Sequence, residues 1–138
     1  MASLARSPVF TVMRAVQSTL TAFPIACFTL ALGADIAYWQ TSNLLWLHFS
    51  EWLLFAGLVF GGLAVLVYLI FCLVARMRPA GLALVLAVAA LGVAFFNNLV
   101  HSADGWTAVV PWGLTLSAAT LVLMVLAAIF NPSVVRHD

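Results

Sequence analysis

Four long apolar stretches occupy most of this chain, at residues 20–39, 50–74, 80–100 and 110–130. Each reaches or approaches the ~20 residues with which an α-helix crosses the hydrocarbon core of a bilayer. The polar segments between them are short, the longest being residues 40–49. Short connections make consecutive helices antiparallel neighbours.

Within each stretch, small and polar side chains recur in alternating steps of three and four, which is one face of a helix. In the third stretch the stripe runs Ala83, Ala87, Ala90, Ala94, Asn97, His101. In the second it runs Gly57, Gly61, Ala64, Tyr68, Cys72. The first carries Gln17, Thr21, Pro24, Cys27, Ala31, Asp35, Tyr38, and the fourth Gly113, Ser117, Thr120, Met124, Ala127, Asn131. Lipid does not drive apolar helices together, so membrane helices meet through small residues that let their backbones approach. The pattern predicts an all-α integral membrane protein, a single antiparallel four-transmembrane-helix bundle forming one domain over residues 1–138. Gly57, Gly61, Ala83 and Ala87 are its expected packing contacts. The Gly57/Gly61 pair fits an internal neighbour better than a second copy, because three other helices are at hand.

Composition agrees. The chain is 66% hydrophobic and 7% charged, whereas a soluble domain carries about 25% charged residues. Lipid must therefore be the solvent for most of the outer surface. The net charge of +1 leaves nothing to attract nucleic acid.

Charge also orients the bundle. Arg6, Arg14, Arg76, Arg78 and Arg136 all fall at one set of helix ends. Asp35, Glu51 and Asp104 fall at the other, with Trp39, Trp46, Trp52, Trp106 and Trp112. Arginine stays cytoplasmic and tryptophan anchors at the headgroup level, so both termini are expected in the cytoplasm. Residues 14–33 have the basic start, apolar run and small-residue end (Ala31-Leu32-Gly33) of a signal peptide. We read them as a true first helix, with Pro24 removing one backbone N–H.

The candidate chemistry lies at the tryptophan end. There the third stripe changes from alanine to Asn97 and His101, and the first from Cys27 and Ala31 to Asp35 and Tyr38. Asp104 joins them from the last connection. Asp35 is the costliest residue, since a carboxylate at mid-membrane costs on the order of 2.5–3.5 kcal/mol on insertion scales. It is expected either to act as a site acid or cation ligand or to clasp helices through Asn97 or His101. His101 is the candidate ligand or pH-sensitive group. His48 reads as a loop residue anchored at the interface, and Glu51 as a carboxylate favoured at a helix start. A transmembrane haem b would need paired axial histidines, for which only His48 and His101 are available. Cys27 and Cys72 read as buried hydrophobes. No metal site, hydrolase, phosphate-loop or dinucleotide motif is present, and the sequence supports no enzyme.

Several short runs resemble one family in order along the chain. Phe23-Pro24-Ile25-Ala26-Cys27-Phe28 and Ala34-Asp35-Ile36-Ala37-Tyr38-Trp39 look like the first helix of a bacterial inner-membrane family known as domain of unknown function 2231. Trp52-Leu53-Leu54-Phe55-Ala56-Gly57-Leu58-Val59 is similar to its second span. Asn98-Leu99-Val100-His101-Ser102, with Asp104, Trp106 and Pro111, resembles its third helix and last connection. The resemblance covers about residues 17–130 and implies a four-helix membrane domain without an assigned activity. It also implies association with periplasmic sugar or aldehyde dehydrogenases and c-type cytochromes. Many members carry a His-Pro pair and a further histidine before Phe-Pro. Here those places hold Gln17-Ser18 and Ala22, which weakens a haem or metal reading and leaves Asp35, Asn97 and His101 as the matching polar positions.

The function these readings favour is an accessory or anchoring subunit, tied to the bilayer and to other membrane subunits, of a respiratory or periplasmic oxidoreductase assembly. No cofactor is expected on that reading. The alternatives are a redox carrier holding haem b or a quinone near His101 and His48, and a small proton or ion transporter through Asp35 and Asn97.

Overall fold

A computed structural model describes residues 8–103 and 109–131. Arg6, Asp104, Trp106, Arg136 and His137 lie outside the described residues. Those described are helical, with no strand among them: α1 (Pro8–Thr41), α2 (Leu44–Val74), α3 (Gly81–Ala103) and α4 (Leu114–Ile129). A wide π-type turn, Val109–Gly113, leads into α4 and contains a cis Val110–Pro111 bond. α1, α2 and α3, and α4 taken together with the turn before it (Val109–Ile129), are long and apolar enough to cross a membrane.

Two expectations are corrected at the first connection. Residues 40–49 do not form a loop: α1 runs to Thr41 and α2 starts at Leu44, leaving Ser42 and Asn43 between them. Ser42 adopts a left-handed conformation, φ 52°, and its N–H donates to the Tyr38 carbonyl at 2.7 Å. Asn43 caps α2, its Oδ1 accepting from the Leu45 N–H at 3.0 Å. His48 is therefore a helical residue of α2, not a loop residue. Glu51 sits two turns inside α2 and caps nothing. The physical reason is that helical backbone satisfies itself at any depth, so it continues past the hydrocarbon boundary until a residue such as Asn43 supplies an alternative partner.

At the other end of α2, Arg76 takes the left-handed position, φ 51°. Met77 N–H donates to Cys72 O at 2.9 Å and Arg76 N–H to Leu73 O at 3.2 Å, the paired bonds that close a helix C-terminus. Tyr68 Oη accepts from the Ala80 N–H at 2.9 Å, pinning the approach to α3.

The four stripes converge. Phe28, Ala31, Leu54, Ala90, Ala94 and Met124 make the central apolar cluster. A Cβ on Gly57 would lie 2.8 Å from Phe28 Cδ1 and 2.9 Å from Cζ. One on Gly61 would collide with Leu91 Cδ2 and stand 3.5 Å from Pro24 Cβ. Both glycines therefore seat internal neighbours by close backbone approach. Ala83 is buried and Ala87 half-buried. Outward faces carry Leu, Val, Ile and Phe, among them Leu73 at 79% and Val85 at 64% exposure. In a membrane that exposure is contact with lipid.

Candidate functional site

Five polar side chains meet in the interior at the end of the bundle where α1 turns into α2. Asp35 comes from α1, Ser50 from α2, Asn97 and His101 from α3, and Ser117 from α4. Each is at most 2% exposed. They are reached by different logics. Asn97 and His101 are one turn apart on one helical face, and His101 lies in the last turn of α3. Ser117 lies one turn beyond Gly113, where a Cβ would come within 2.9 Å of His101 Cε1. Gly113 thus leaves the room in which the imidazole sits.

The bonds form a continuous circuit. Asn97 Nδ2 donates to Ser117 Oγ at 2.7 Å. The Ser117 hydroxyl donates in turn to Asp35 Oδ2 through a short bond. Asp35 Oδ1 lies 2.8 Å from His101 Nε2. His101 Nδ1 is 2.9 Å from the Asn97 carbonyl oxygen, which returns the circuit to its start. Ser50 Oγ donates to the Ala31 carbonyl at 3.3 Å and lies 3.4 Å from His101 Nε2. All four helices are joined within one network.

Counting protons constrains its state. A carbonyl oxygen only accepts, so the Nδ1 facing Asn97 O carries hydrogen. The Nε2–Oδ1 contact needs one more proton, on the nitrogen or on the oxygen. Either the pair is imidazolium with carboxylate, or neutral imidazole with neutral acid. Both are uncharged in sum, which is the form a low-dielectric interior tolerates. The circuit is satisfied except at Asn97 Oδ1, which is buried without a partner.

Serine, histidine and aspartate also compose a nucleophile relay, but not in this geometry. A relay places the hydroxyl and the carboxylate on opposite ring nitrogens. Here Ser50 and Asp35 both approach Nε2, and Nδ1 is occupied by backbone. Nor do three His, Cys, Asp or Glu side chains group to hold a metal ion among the described residues.

Of the residues singled out from sequence, Asp35, Asn97 and His101 come together. Asp104 lies outside the described residues. His48 stays apart: its side chain is 65% exposed and its Nδ1 stands 3.7 Å from Glu51 Oε2. As a haem-ligand pair His48 and His101 face different surroundings, one outside the bundle and one sealed inside with both nitrogens engaged. Trp39, Trp46, Trp52 and Trp112 are exposed, as anchors at an interface would be, and Trp106 lies outside the described residues. Cys27 and Cys72 are buried free thiols. Sequence reasoning missed Ser50 and Ser117 as members of the network. Their only signal was position: Ser117 stands on the packing stripe of its stretch, and Ser50 at the edge of an apolar run.

The family model for a predicted membrane protein, DUF2231, matches residues 15–135. The chain belongs to that family. Comparison with curated proteins and with solved structures returned no match.

Proposed function

We propose that this DUF2231 chain is an integral-membrane accessory or anchoring subunit of a respiratory or periplasmic oxidoreductase assembly in the bacterial inner membrane. On this reading it is a single antiparallel domain with both termini cytoplasmic. The pairing of Gln17 with the Ala64 carbonyl (3.1 Å) and of Ser50 with that of Ala31 supports the antiparallel order, since early α1 meets late α2. Arg14, Arg76 and Arg78 at one end and the tryptophans at the other support the orientation.

One observation carries the functional part: the densest polar constellation is closed on itself. Asp35, Ser50, Asn97, His101 and Ser117 bond chiefly to one another and to backbone, with no opening for a substrate. What the protein offers its surroundings is apolar helix faces and an aromatic rim, surfaces suited to lipid and to other membrane helices. A proton path would start from the same Asp35–His101 pair, but Phe28, Ala31, Ala90 and Ala94 interrupt it towards the opposite end. A haem on His101 would first have to displace Asp35 or Asn97.

The test is affinity capture of the tagged chain from native membranes in mild detergent, with mass spectrometry of what remains bound. Stoichiometric recovery of dehydrogenase or cytochrome subunits is the expected result. Recovery of the chain alone, from membranes in which those subunits are intact, would refute the reading.

A further inference from the structure

Glu51 and Asn98 are polar residues of the bundle end that the buried network does not use. With Trp52 and Phe55 they line a groove of about 250 Å³ between α2 and α3. Asn98 Oδ1 is buried without a hydrogen-bond partner. The Glu51 side chain is 33% exposed, and its nearest basic group, His48 Nδ1 at 3.7 Å, is beyond hydrogen-bond length. Trp52 is 70% and Phe55 51% exposed, their rings edge-to-face with centroids 6.2 Å apart.

The groove sets the Glu51 carboxylate beside two aromatic side chains, groups that attract a cation. The described arginines, Arg14, Arg76 and Arg78, belong to the other end of the helices. Depth narrows the choice of occupant. Glu51 lies about 10 Å along α2 from its start, and Asn98 about 8 Å from the end of α3, at 1.5 Å per residue. A helix of 31 residues spans about 46 Å against a hydrocarbon core of about 30 Å. These residues therefore lie at the boundary between acyl chains and headgroups, where lipid headgroups are present at high local concentration. The occupant that suits a partly exposed carboxylate beside aromatic rings is a cation with N–H donors. A quaternary ammonium lacks those donors, and an anionic headgroup is repelled by Glu51.

We propose that the groove formed by Glu51, Trp52, Phe55 and Asn98 seats the ethanolammonium headgroup of a bilayer phospholipid. Its N–H groups donate to the Glu51 carboxylate, and its charge rests against the Trp52 and Phe55 rings.

The test uses the full chain in nanodiscs of equal phosphatidylethanolamine and phosphatidylglycerol. A water-soluble carbodiimide activates carboxylates, so a seated ammonium, once deprotonated, couples to Glu51 as an amide with loss of one water, taken up by the carbodiimide. Peptide mass spectrometry should find the lipid amide on Glu51. In native mass spectra the wild type should retain phosphatidylethanolamine over phosphatidylglycerol by roughly fivefold, the scale of one cation–π contact plus a charged hydrogen bond near water. Glu51→Gln, which removes the charged hydrogen bond and leaves the rings, should lower that ratio by roughly twofold. Trp52→Leu, at an exposed position that folding tolerates, should lower amide yield by roughly threefold. Absence of the Glu51 amide, or a ratio unchanged in Glu51→Gln, would overturn the proposal. So would complete blocking of lipid coupling by millimolar free ethanolamine, which would assign the groove to a soluble amine. Coupling of Glu51 in native membranes to a polypeptide lysine in place of lipid would assign it to a protein partner and overturn it equally.

Discussion

The two ends of the bundle are built from the same four stripes and hold together differently. At the tryptophan end the stripes finish in Asp35, Ser50, Asn97, His101 and Ser117, which bond to one another across all four helices. At the arginine end they finish mostly in small residues, with Gln17, Thr21, Tyr68 and Asn131 as polar positions. There the helices leave a cavity of about 90 Å³, walled by Gln17, Gly61, Ala64, Ala83 and Ala87 among others. Gln17 Nε2 reaches the Ala64 carbonyl, but its Oε1 is buried without a partner. In lipid, where apolar burial gives helices no mutual attraction, small residues permit approach without supplying cohesion. Cohesion comes from hydrogen bonds where the chain provides them, and the interior network of such bonds lies at the tryptophan end.

Breaking the network should cost most. Asp35→Leu leaves His101 and Ser117 facing an apolar side chain, and removal of one member of a buried pair costs about 3–5 kcal/mol. Reversible unfolding in detergent micelles measures it; a loss below about 1 kcal/mol would show that the network does not clasp the helices. Gly57→Val comes next. It drives a side chain into the Phe28 ring, and overpacking of this kind costs about 1–3 kcal/mol, read in the same assay as a lowered midpoint.

Ser117→Ala removes two interhelical bonds, from Asn97 and to Asp35, each worth about 0.6 and at most about 1.7 kcal/mol by measurements on membrane helices. A double-mutant cycle with Asp35→Asn should show coupling, because the two share a bond; strict additivity would contradict the circuit. The smallest effect belongs at the arginine end. Ala87→Val adds two methyl groups towards the cavity and should be neutral or stabilising by less than about 1 kcal/mol, since they fill space already present. A loss as large as that of Gly57→Val would mean that the two ends are equally tight, and the contrast would fail.

Much of the inward face was legible in advance. Asn97 and His101 follow Ala90 and Ala94 at steps of three and four, and all four are buried. Pro24, Cys27, Ala31 and Asp35 repeat this on α1. Periodicity reports the direction of a side chain around its own helix, and lipid enforces that direction strictly. It says less about where a helix ends: the polar run after Trp39 suggested a loop, whereas backbone bonding continued to Thr41 and resumed at Leu44. His48 and Glu51 were misplaced for that reason.

Hydroxyls mark the limit most clearly. Thr29 donates to the Ile25 carbonyl and Thr120 to that of Leu116, each one turn back on its own helix. Ser117, three residues before Thr120 on the same stripe, donates instead to Asp35 on another helix. Thr29 lies off the inward stripe of its helix, but nothing in the linear pattern separates Thr120 from Ser117. The amino-acid sequence by itself determined that four helices cross a membrane and which stripe of each turns inward, because hydrocarbon requires long apolar runs and helical geometry sets their period. Only the tertiary structure decided that Asp35 meets His101 and Ser117 while His48 stays outside. A hydrogen bond needs two helices aligned in rotation and depth to within a fraction of an ångström, and that alignment is a property of the packed bundle, set by contacts such as Gly57 on Phe28 and Gly113 against His101.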